Sequence, residues 1–304
     1  MKKPVKIREN IKYFILSLIL IAIGIPIFNF IRSNESKGFK EYYPVTDPDR
    51  KVTISVDRTY ATDTYIQTYI KPDSIDDTFV LDILLPDDYD ADKTYPVVYI
   101  TDCYWRREDY PAIKQLYESG KTEEFILIGI GYPDDYDFGV TRDRDLILYP
   151  HDFLKLIVDA IIPYVENEYS IDANNRSFLG SSCGGYFMLY SLFQSDSLTK
   201  DIFQNYIINS PVFYYYGKVE ISPYTLEEEY FKRSGDTLNA YVYLTVGGDE
   251  SMDVFIEPLN ELTDIMNFRK YKGLTLEYEI CEGFDHYNVW APALLEGLSR
   301  CLAK

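Results

Sequence analysis

Histidine and cysteine, the side chains that most often bind zinc, are scarce in this sequence. Among 304 residues there are two histidines, His151 and His286, and four cysteines, at positions 103, 183, 281 and 301. No two cysteines have the Cys-x-x-Cys spacing of a structural zinc site. We therefore expect no metal and no cofactor. Cys281 and Cys301 could pair outside the cytoplasm, but spacing alone does not assign disulfides, and four small buried thiols are the alternative.

Basic residues are also few, at 30 Lys and Arg against 49 Asp and Glu, which gives a net charge of −19. Residues 1–40 contain eight basic and two acidic side chains, so they carry +6 and the remainder carries −25. An acidic surface repels phosphate backbones, which excludes nucleic acid as an expected partner. Neutral or cationic small molecules are the substrates that suit this charge.

One strongly apolar stretch without charge covers residues 13–31. As a helix it would be about 29 Å long, close to the thickness of the bilayer hydrocarbon. Basic residues crowd its N-terminal side, which predicts a single-pass anchor in the lipid bilayer, with the N-terminus in the cytoplasm and the body outside. The alternative is a cleaved signal peptide and a secreted protein, but the run is long for that role and no Ala-x-Ala-like site follows it.

This stretch divides the chain into two predicted parts. Residues 1–40 would contain a cytoplasmic tail, the membrane anchor and the start of a stalk. Residues 33–49 are polar and include Pro44 and Pro48, which is typical of a short stalk. Residues 41–304 would form one large domain, since the chain is long enough and apolar enough to bury a single core.

Strand-like and helix-like stretches alternate along this domain. Continuous apolar runs at 95–100 and 125–130 are typical of strands buried on both faces of a parallel sheet. Further strands are predicted at 52–56, 79–85, 176–179, 205–209, 240–246 and 274–281, and helices at 110–118, 152–168, 186–193, 226–233, 254–268 and 287–302. Repeated strand–helix order predicts an α/β fold with a mostly parallel, doubly wound sheet, which binds ligands at the carboxyl ends of its strands.

A Gly-x-Ser-x-Gly pattern lies where one of these strands meets a helix, at residues 180–184. This pattern forms a sharp turn that exposes the serine hydroxyl above the sheet, which predicts Ser182 as a nucleophile. Cys183 is disfavoured in that role because its thiol would lie one residue beyond the apex of the turn.

A serine nucleophile needs a base and a group that orients the base. In α/β hydrolases the chain order is nucleophile, acid, histidine. His286 is the one histidine that follows Ser182, and it lies between the last predicted strand and helix. His151 lies upstream, after Pro150 at a helix start, and we interpret it as structural.

The acid should follow the strand at 240–246. Asp249 and Glu250 both lie there, and the residues alone do not choose between them. Asp285 and Asp253 are weaker candidates, since one is adjacent to the histidine and the other falls in the next helix.

The oxyanion of an acyl-transfer reaction needs two backbone donors. The N–H of Cys183, directly after the nucleophile, is one, and the loop after the strand at 95–100 should supply the other, for which we select Cys103. Tyr104 and Trp105 follow in the same loop. They are candidate substrate-binding residues because aromatic side chains in a cleft can stack on sugars or aryl rings.

Further motifs surround this constellation. They are Ile-Pro-Tyr-Val at 162–165, the run from Arg176 to Gly185, Ser210-Pro211, Val-Gly-Gly-Asp-Glu at 246–250 and His-Tyr-Asn-Val-Trp at 286–290. Together, from about Phe79 to the C-terminus, they resemble the putative-esterase family of α/β hydrolases, which includes enterochelin esterases, S-formylglutathione hydrolases, feruloyl and acetylxylan esterases and mycolyltransferases. The resemblance implies the α/β-hydrolase fold and ester hydrolysis.

The resemblance also bears on individual residues. Members of its siderophore branch have Gly-x-x-Glu after the acid-bearing strand, which matches Gly247 and Glu250 and favours Glu250 over Asp249. Their Arg-x-Arg-Asp segment resembles Arg142 to Asp145, on a loop that borders the substrate. Arg142 and Arg144 are therefore candidate substrate-binding residues, and a salt-bridge network within the loop is the alternative.

Three positions depart from the family pattern. Ser181 replaces a common histidine, Cys183 replaces leucine or methionine, and Cys103 follows Asp102 where glycine is common. The last departure leaves the second oxyanion donor open.

We expect a membrane-anchored serine esterase that cleaves a small-molecule carboxylic ester, such as a siderophore or carbohydrate ester, through an acyl-enzyme. An acyltransferase with the same triad and a non-catalytic binding protein on the same fold are the alternatives. The acyl and alcohol groups do not follow from the residues.

Overall fold

The protein is described by a computed structural model that covers residues 39–304, apart from 48 and 216. The predicted membrane segment at 13–31 and its flanking tail lie outside the described residues. Across residues 39–304, with those two exceptions, none of the helices has the length and apolar character needed to cross a bilayer.

The described residues contain a nine-stranded sheet. Its strands are β1 (Ile54–Ala61), β2 (Tyr65–Pro72), β3 (Phe79–Leu84), β4 (Tyr95–Thr101), β5 (Ile126–Gly131), β6 (Ile171–Ser181), β7 (Asn205–Asn209), β8 (Thr237–Gly247) and β9 (Lys272–Cys281). The spatial order is β1-β2-β3-β5-β4-β6-β7-β8-β9. The first three pairings in that order are antiparallel, and those from β5 to β9 are parallel.

Helices connect the parallel strands, and one further helix follows β9. They are α1 (Cys103–Arg106), α2 (Tyr110–Glu118), α3 (Phe138–Asp143), α4 (Pro150–Leu156), α5 (Ile162–Glu168), α6 (Cys183–Leu192), α7 (Pro223–Ser234), α8 (Glu257–Arg269) and α9 (Trp290–Cys301). Five-residue π-helical turns lie at Arg144–Leu148, Ile157–Ile161 and Met252–Ile256. The predicted helix at 152–168 is interrupted by the second of these, just before Pro163, a residue that cannot donate a backbone hydrogen bond.

The core lies on both faces of the sheet. Along β4, Val97 and Tyr99 belong to one buried cluster and Val98 and Ile100 to another, as the twofold alternation of a strand requires. All ten residues of α6 are buried in the first cluster or against the sheet. Helices α2 and α9 cover the second face. The prediction of a mostly parallel, doubly wound α/β sheet is confirmed.

The order of the strands fixes where a ligand should bind. The chain passes from β4 outward to β5 and then returns to the other side of β4 as β6. The connections on either side of β4 therefore run in opposite directions and leave a crevice at the carboxyl ends of β4 and β6. These are the ends that carry Cys103 and Ser182.

Two features differ from the sequence predictions. Strand β2 was not predicted. The predicted stalk at 33–49 does not extend freely to residue 49, because Tyr42 is 7% exposed. Its hydroxyl donates a hydrogen bond to Asp145 Oδ1 at 3.0 Å. The Tyr42 ring is buried although the residues around it are polar. The chain is therefore attached to the domain from Tyr42 onward.

Candidate active site

Ser182 lies at the apex of a tight turn between β6 and α6. Its backbone has φ 60° and ψ −117°, a sparsely populated conformation for a residue other than glycine. Close packing explains why Gly180 and Gly184, two positions before and after Ser182, are glycines. A Cβ atom on Gly180 would lie 2.5 Å from the carbonyl oxygen of Gly184, and one on Gly184 would lie 2.6 Å from Thr101 Oγ1. The turn thus projects the serine hydroxyl from the carboxyl end of β6.

A continuous hydrogen-bonded chain joins Ser182 to a buried carboxylate. Ser182 Oγ lies 3.1 Å from His286 Nε2. The other ring nitrogen, Nδ1, lies 2.6 Å from Glu250 Oε2. The Glu250 side chain is 1% exposed and the imidazole 25% exposed, and the ring of Phe255 packs 4.5 Å from the imidazole. The imidazole is therefore partly accessible to solvent, while the Glu250 carboxylate is not.

The structure places Glu250, not Asp249, against the imidazole. Asp249 is exposed, as are Asp253 and Asp285, and Asp285 accepts backbone hydrogen bonds within its own turn. The second oxygen of Glu250 accepts hydrogen bonds from Ser210 Oγ at 2.5 Å and from the backbone N–H of Gly247 at 2.8 Å. These donors hold the carboxylate in one orientation and compensate for its burial.

Cys183 and Cys103 both lie at helix N-termini beside the nucleophile. Cys183 is the first residue of α6 and Cys103 is the first of α1, so the N–H of neither has an intrahelical acceptor. The first turn of α6 packs against the end of β4, since a Cβ on Gly184 would lie 2.6 Å from Thr101 Oγ1 and 3.3 Å from Asp102 Oδ2. The predicted oxyanion donors are therefore neighbours at the crevice.

All four thiols are free. Burial raises the pKa of Cys183 to about 11, against the opposing effect of the nearby Arg142 guanidinium. Burial also raises the pKa of Cys103 well above its usual value. Both are protonated at neutral pH, which agrees with backbone rather than thiolate roles. Cys281 and Cys301, the pair considered for a disulfide, are not bonded to each other.

Tyr104 and Trp105, which follow Cys103, line an aromatic groove. They are 41% and 42% exposed, and the ring of Tyr104 stacks on Phe138 with centroids 4.4 Å apart. The groove lining is completed by Asp102, Gly131, Tyr132 and Arg142. Arg142 is thus at the site, but Asp102 and the carbonyl oxygen of Ser181 already accept hydrogen bonds from its guanidinium.

Arg144 does not lie at the site, contrary to its selection as a substrate-binding residue. Its side chain is 2% exposed and contacts two carboxylates, Asp145 at 2.7 Å and Asp77 at 2.5 Å. Residues two positions apart on a helix point in different directions. Arg142 therefore reaches the crevice, whereas Arg144 enters the core. For Arg144 the alternative of a salt-bridge network holds.

The remaining candidates for metal or proton chemistry lie apart from this site. Among residues 39–304, as far as they are described, no group of three or more His, Cys, Asp and Glu side chains could hold a metal ion. His151 is exposed in the first turn of α4, and its Nδ1 lies 3.4 Å from the hydroxyl of Tyr190. It takes no part in the Ser182 chain.

Two residues of the site were not predicted from the sequence. Ser210 belongs to the Ser-Pro pair that resembles the family, a pattern that predicts no role for its side chain. Its φ of 41° and its full burial mark it as a constrained position. Phe255 carries no sequence signal that distinguishes it from an ordinary core residue of a helix.

The comparisons with known proteins agree with this geometry. The family model described as "Putative esterase" matches residues 73–301. The ferri-bacillibactin esterase BesA of Bacillus subtilis is 31% identical over 107 residues, which are 28% of this chain, and the match spans about a third (35%) of that relative's length. The crystal structure of the BES protein from Bacillus cereus superimposes with a TM-score of 0.68 at 25% identity, over 82% of this chain and 98% of that one.

A more distant structure shows the same fold. The siderophore hydrolase EstA from Aspergillus nidulans has a TM-score of 0.64 at 18% identity, over 86% of this chain and 99% of that one. The fold and the family match define a serine ester hydrolase of the α/β type. The chain belongs to the putative-esterase family, as the resemblance of its motifs indicated.

Proposed function

We propose that this protein hydrolyses a carboxylic ester through a Ser182–His286–Glu250 triad and an acyl-enzyme intermediate. The observation that carries the proposal is the unbroken chain of contacts from Ser182 Oγ through both ring nitrogens of His286 to Glu250. Each distance is within the range over which a proton can be transferred or a ring oriented.

The first half-reaction forms the acyl-enzyme. Ser182 Oγ attacks the ester carbonyl carbon while His286 Nε2 accepts its proton, and the carbonyl oxygen becomes an oxyanion that the N–H groups of Cys183 and Cys103 stabilise. The imidazolium then gives its proton to the departing alcohol oxygen as the C–O bond of the ester breaks. Glu250 stays ionised and stabilises the imidazolium.

The second half-reaction releases the acid. A water molecule gives a proton to His286 Nε2 and attacks the acyl carbon, and collapse of the second oxyanion expels Ser182 Oγ, which regains the proton. The fixed orientation of Glu250, held by Ser210 and Gly247, keeps the imidazole aligned through both steps.

The substrate proposed for this site is a siderophore-type ester. BesA is named as a ferri-bacillibactin esterase and EstA as a siderophore hydrolase. The aromatic groove formed by Tyr104, Trp105 and Phe138 lies beside the proposed oxyanion donors, where it can contact an aryl acyl group.

A substrate panel tests this proposal. The full-length protein, purified in mild detergent, would be assayed with trilactone siderophores, acetylated and feruloylated sugars and short-chain aryl esters, in parallel with Ser182→Ala. We expect hydrolysis of at least one siderophore ester with kcat/KM above that for p-nitrophenyl acetate. A preference for the sugar esters would identify the substrate as a carbohydrate ester instead. Equal hydrolysis rates for the parent and Ser182→Ala would refute the triad.

We also propose that residues 13–31 anchor the protein in a membrane, with the catalytic domain on the extracytoplasmic side. Support comes from the sequence: the length and apolar character of this stretch and the basic residues before it. Alkaline carbonate extraction of membranes should leave the protein in the pellet. Protease added to cells that lack a wall or outer membrane but keep an intact cytoplasmic membrane should degrade residues 41–304. Release into the carbonate supernatant would refute anchoring.

A further inference from the structure

Arg142 joins the two segments that carry the proposed oxyanion donors. Its Nε donates to Asp102 Oδ1 at 2.7 Å and its Nη2 donates to Asp102 Oδ2 at 2.9 Å, so the contact is bidentate. Nη2 also donates to the backbone carbonyl oxygen of Ser181 at 3.1 Å. Asp102 directly precedes Cys103, and Ser181 directly precedes the nucleophile. One guanidinium therefore connects the end of β4 to the end of β6.

Both connected segments have backbone conformations that need support. Asp102 lies in the left-handed region, with φ 63° and ψ 36°. Ser182, next to Ser181, has φ 60°. Such conformations cost free energy in residues other than glycine and persist only where neighbouring contacts hold them. The hydrogen bonds from Arg142 to Asp102 and to the carbonyl oxygen of Ser181 are among the contacts that hold these two conformations.

Asp102 and Ser181 engage three of the five N–H groups of the guanidinium. The Arg142 side chain is 13% exposed and that of Asp102 is 2% exposed. The ring of Trp105 lies 5.4 Å from the guanidinium carbon. Asp102 accepts two of these hydrogen bonds and already neutralises the arginine, so a substrate carboxylate would compete with a bound carboxylate for the same charge.

We propose that Arg142 is a positioning residue that holds the backbone N–H groups of Cys103 and Cys183 at the correct separation around the substrate carbonyl oxygen. The inference rests on the proposed Ser182 chemistry. Oxyanion donors act only where they point at the oxygen that becomes charged, and a displacement of about 1 Å can cost about 100-fold in rate. The planar guanidinium can bind a carboxylate through two N–H groups and still reach a carbonyl, which a lysine ammonium cannot do with the same geometry.

This role predicts an effect on esters that carry no charge. Arg142→Gln and Arg142→Lys, made in the full-length protein, should lower kcat for p-nitrophenyl acetate by about 10- to 100-fold with KM within about twofold. The rate of Ser182 modification by a fluorophosphonate should fall by a similar factor, because that reaction also places charge on an oxygen held by the same donors. Asp102→Asn should reproduce the loss, and the Arg142→Gln/Asp102→Asn double variant should lose about as much as either single variant.

A matched control separates this role from general damage. Arg233→Gln removes a contact of the same kind away from the site, with Asp196 at 2.7 and 3.1 Å and with the carbonyl oxygen of Phe193 at 2.8 Å. It should keep kcat for the neutral ester within about twofold of the parent. Thermal unfolding of every variant reports whether it is folded at the assay temperature, and if Arg142→Gln does not fold, Arg142→Lys and Asp102→Asn carry the test.

Three outcomes would overturn the inference. The first is a parental kcat for the neutral ester in both Arg142 variants, provided that Ser182→Ala is inactive in the same assay. A rise in KM confined to an anionic ester such as p-nitrophenyl hemisuccinate would instead assign Arg142 to substrate binding. Parental activity in Ser182→Ala would refute the proposed function itself, and this inference with it.

Discussion

Glu250 Oε2 lies 2.6 Å from Nδ1 of His286, and the carboxylate is buried while its neighbour Asp249 is exposed. Glu250→Gln keeps the size of the side chain but removes the charge that stabilises an imidazolium. We expect a loss of about 10²- to 10⁴-fold in kcat, whereas Asp249→Asn should stay within about threefold of the parent. Steady-state kinetics with p-nitrophenyl acetate measures both, and the reverse order would move the acid to Asp249.

Ser210 should contribute to catalysis through Glu250 without contact with the substrate. Its Oγ donates to Glu250 Oε1 at 2.5 Å, and a hydrogen bond to a buried charged group is worth about 1.5 to 3 kcal/mol. Ser210→Ala should therefore lower kcat at least about tenfold and leave KM unchanged. Ser191→Ala is the matched control, because Ser191 is equally buried but bonds the hydroxyl of Tyr206. Equal kcat in the two variants would contradict this role.

Arg144 should matter for stability and not for substrate binding. Arg144→Leu leaves Asp77 and Asp145 buried without their shared cation, which should lower the free energy of unfolding by about 3 to 5 kcal/mol. Arg50→Leu, which removes the exposed pair with Asp73, should cost less than about 1 kcal/mol. Urea unfolding provides the comparison. A parental unfolding midpoint for Arg144→Leu, or a changed KM in the folded variant, would count against this assignment.

The Cys183 thiol should make the protein sensitive to alkaline pH. Its pKa is about 11 in the folded protein against an ordinary value near 9, so the unfolded chain loses this proton first. The stability that the protonated thiol contributes is complete below pH 9 and is lost between pH 9 and 11, by roughly 3 kcal/mol in total. Urea unfolding at pH 8, 9 and 10 should show a steeper fall for the parent than for Cys183→Ala. Parallel curves would mean that the thiol is not shielded from solvent.

The sequence predicted the parts of the fold that depend on local pattern. The apolar runs that form β4 and β5 and the strand–helix order that forms the parallel half of the sheet are properties of short segments. Strand β2 was missed because its buried face includes the polar Thr68 and its partly buried face mixes tyrosines with Gln67, so polarity does not alternate along it. The docking of Tyr42 was missed because its partner, Asp145, is 103 positions away.

The candidate site divides in the same way. Ser182 and His286 could be predicted because a turn motif and the scarcity of histidine leave few alternatives. Glu250 and Asp249 are adjacent carboxylates, and only the direction of each side chain separates them. The different positions of Arg142 and Arg144 depend on which face of a helical turn meets the core, and the contact between Ser210 and Glu250 depends on the packing of β7 beside β8. Such properties arise from three-dimensional packing and not from sequence spacing.

The most direct test of the central claim is intact-mass analysis of the full-length protein after reaction with a fluorophosphonate, combined with the hydrolysis rate of Ser182→Ala. We expect a single adduct on the parent, mapped by peptide sequencing to Ser182, and no adduct on Ser182→Ala. The turnover of p-nitrophenyl acetate by Ser182→Ala should be at least about 10³-fold below that of the parent. An adduct on another residue, or parental turnover in Ser182→Ala, would contradict the account.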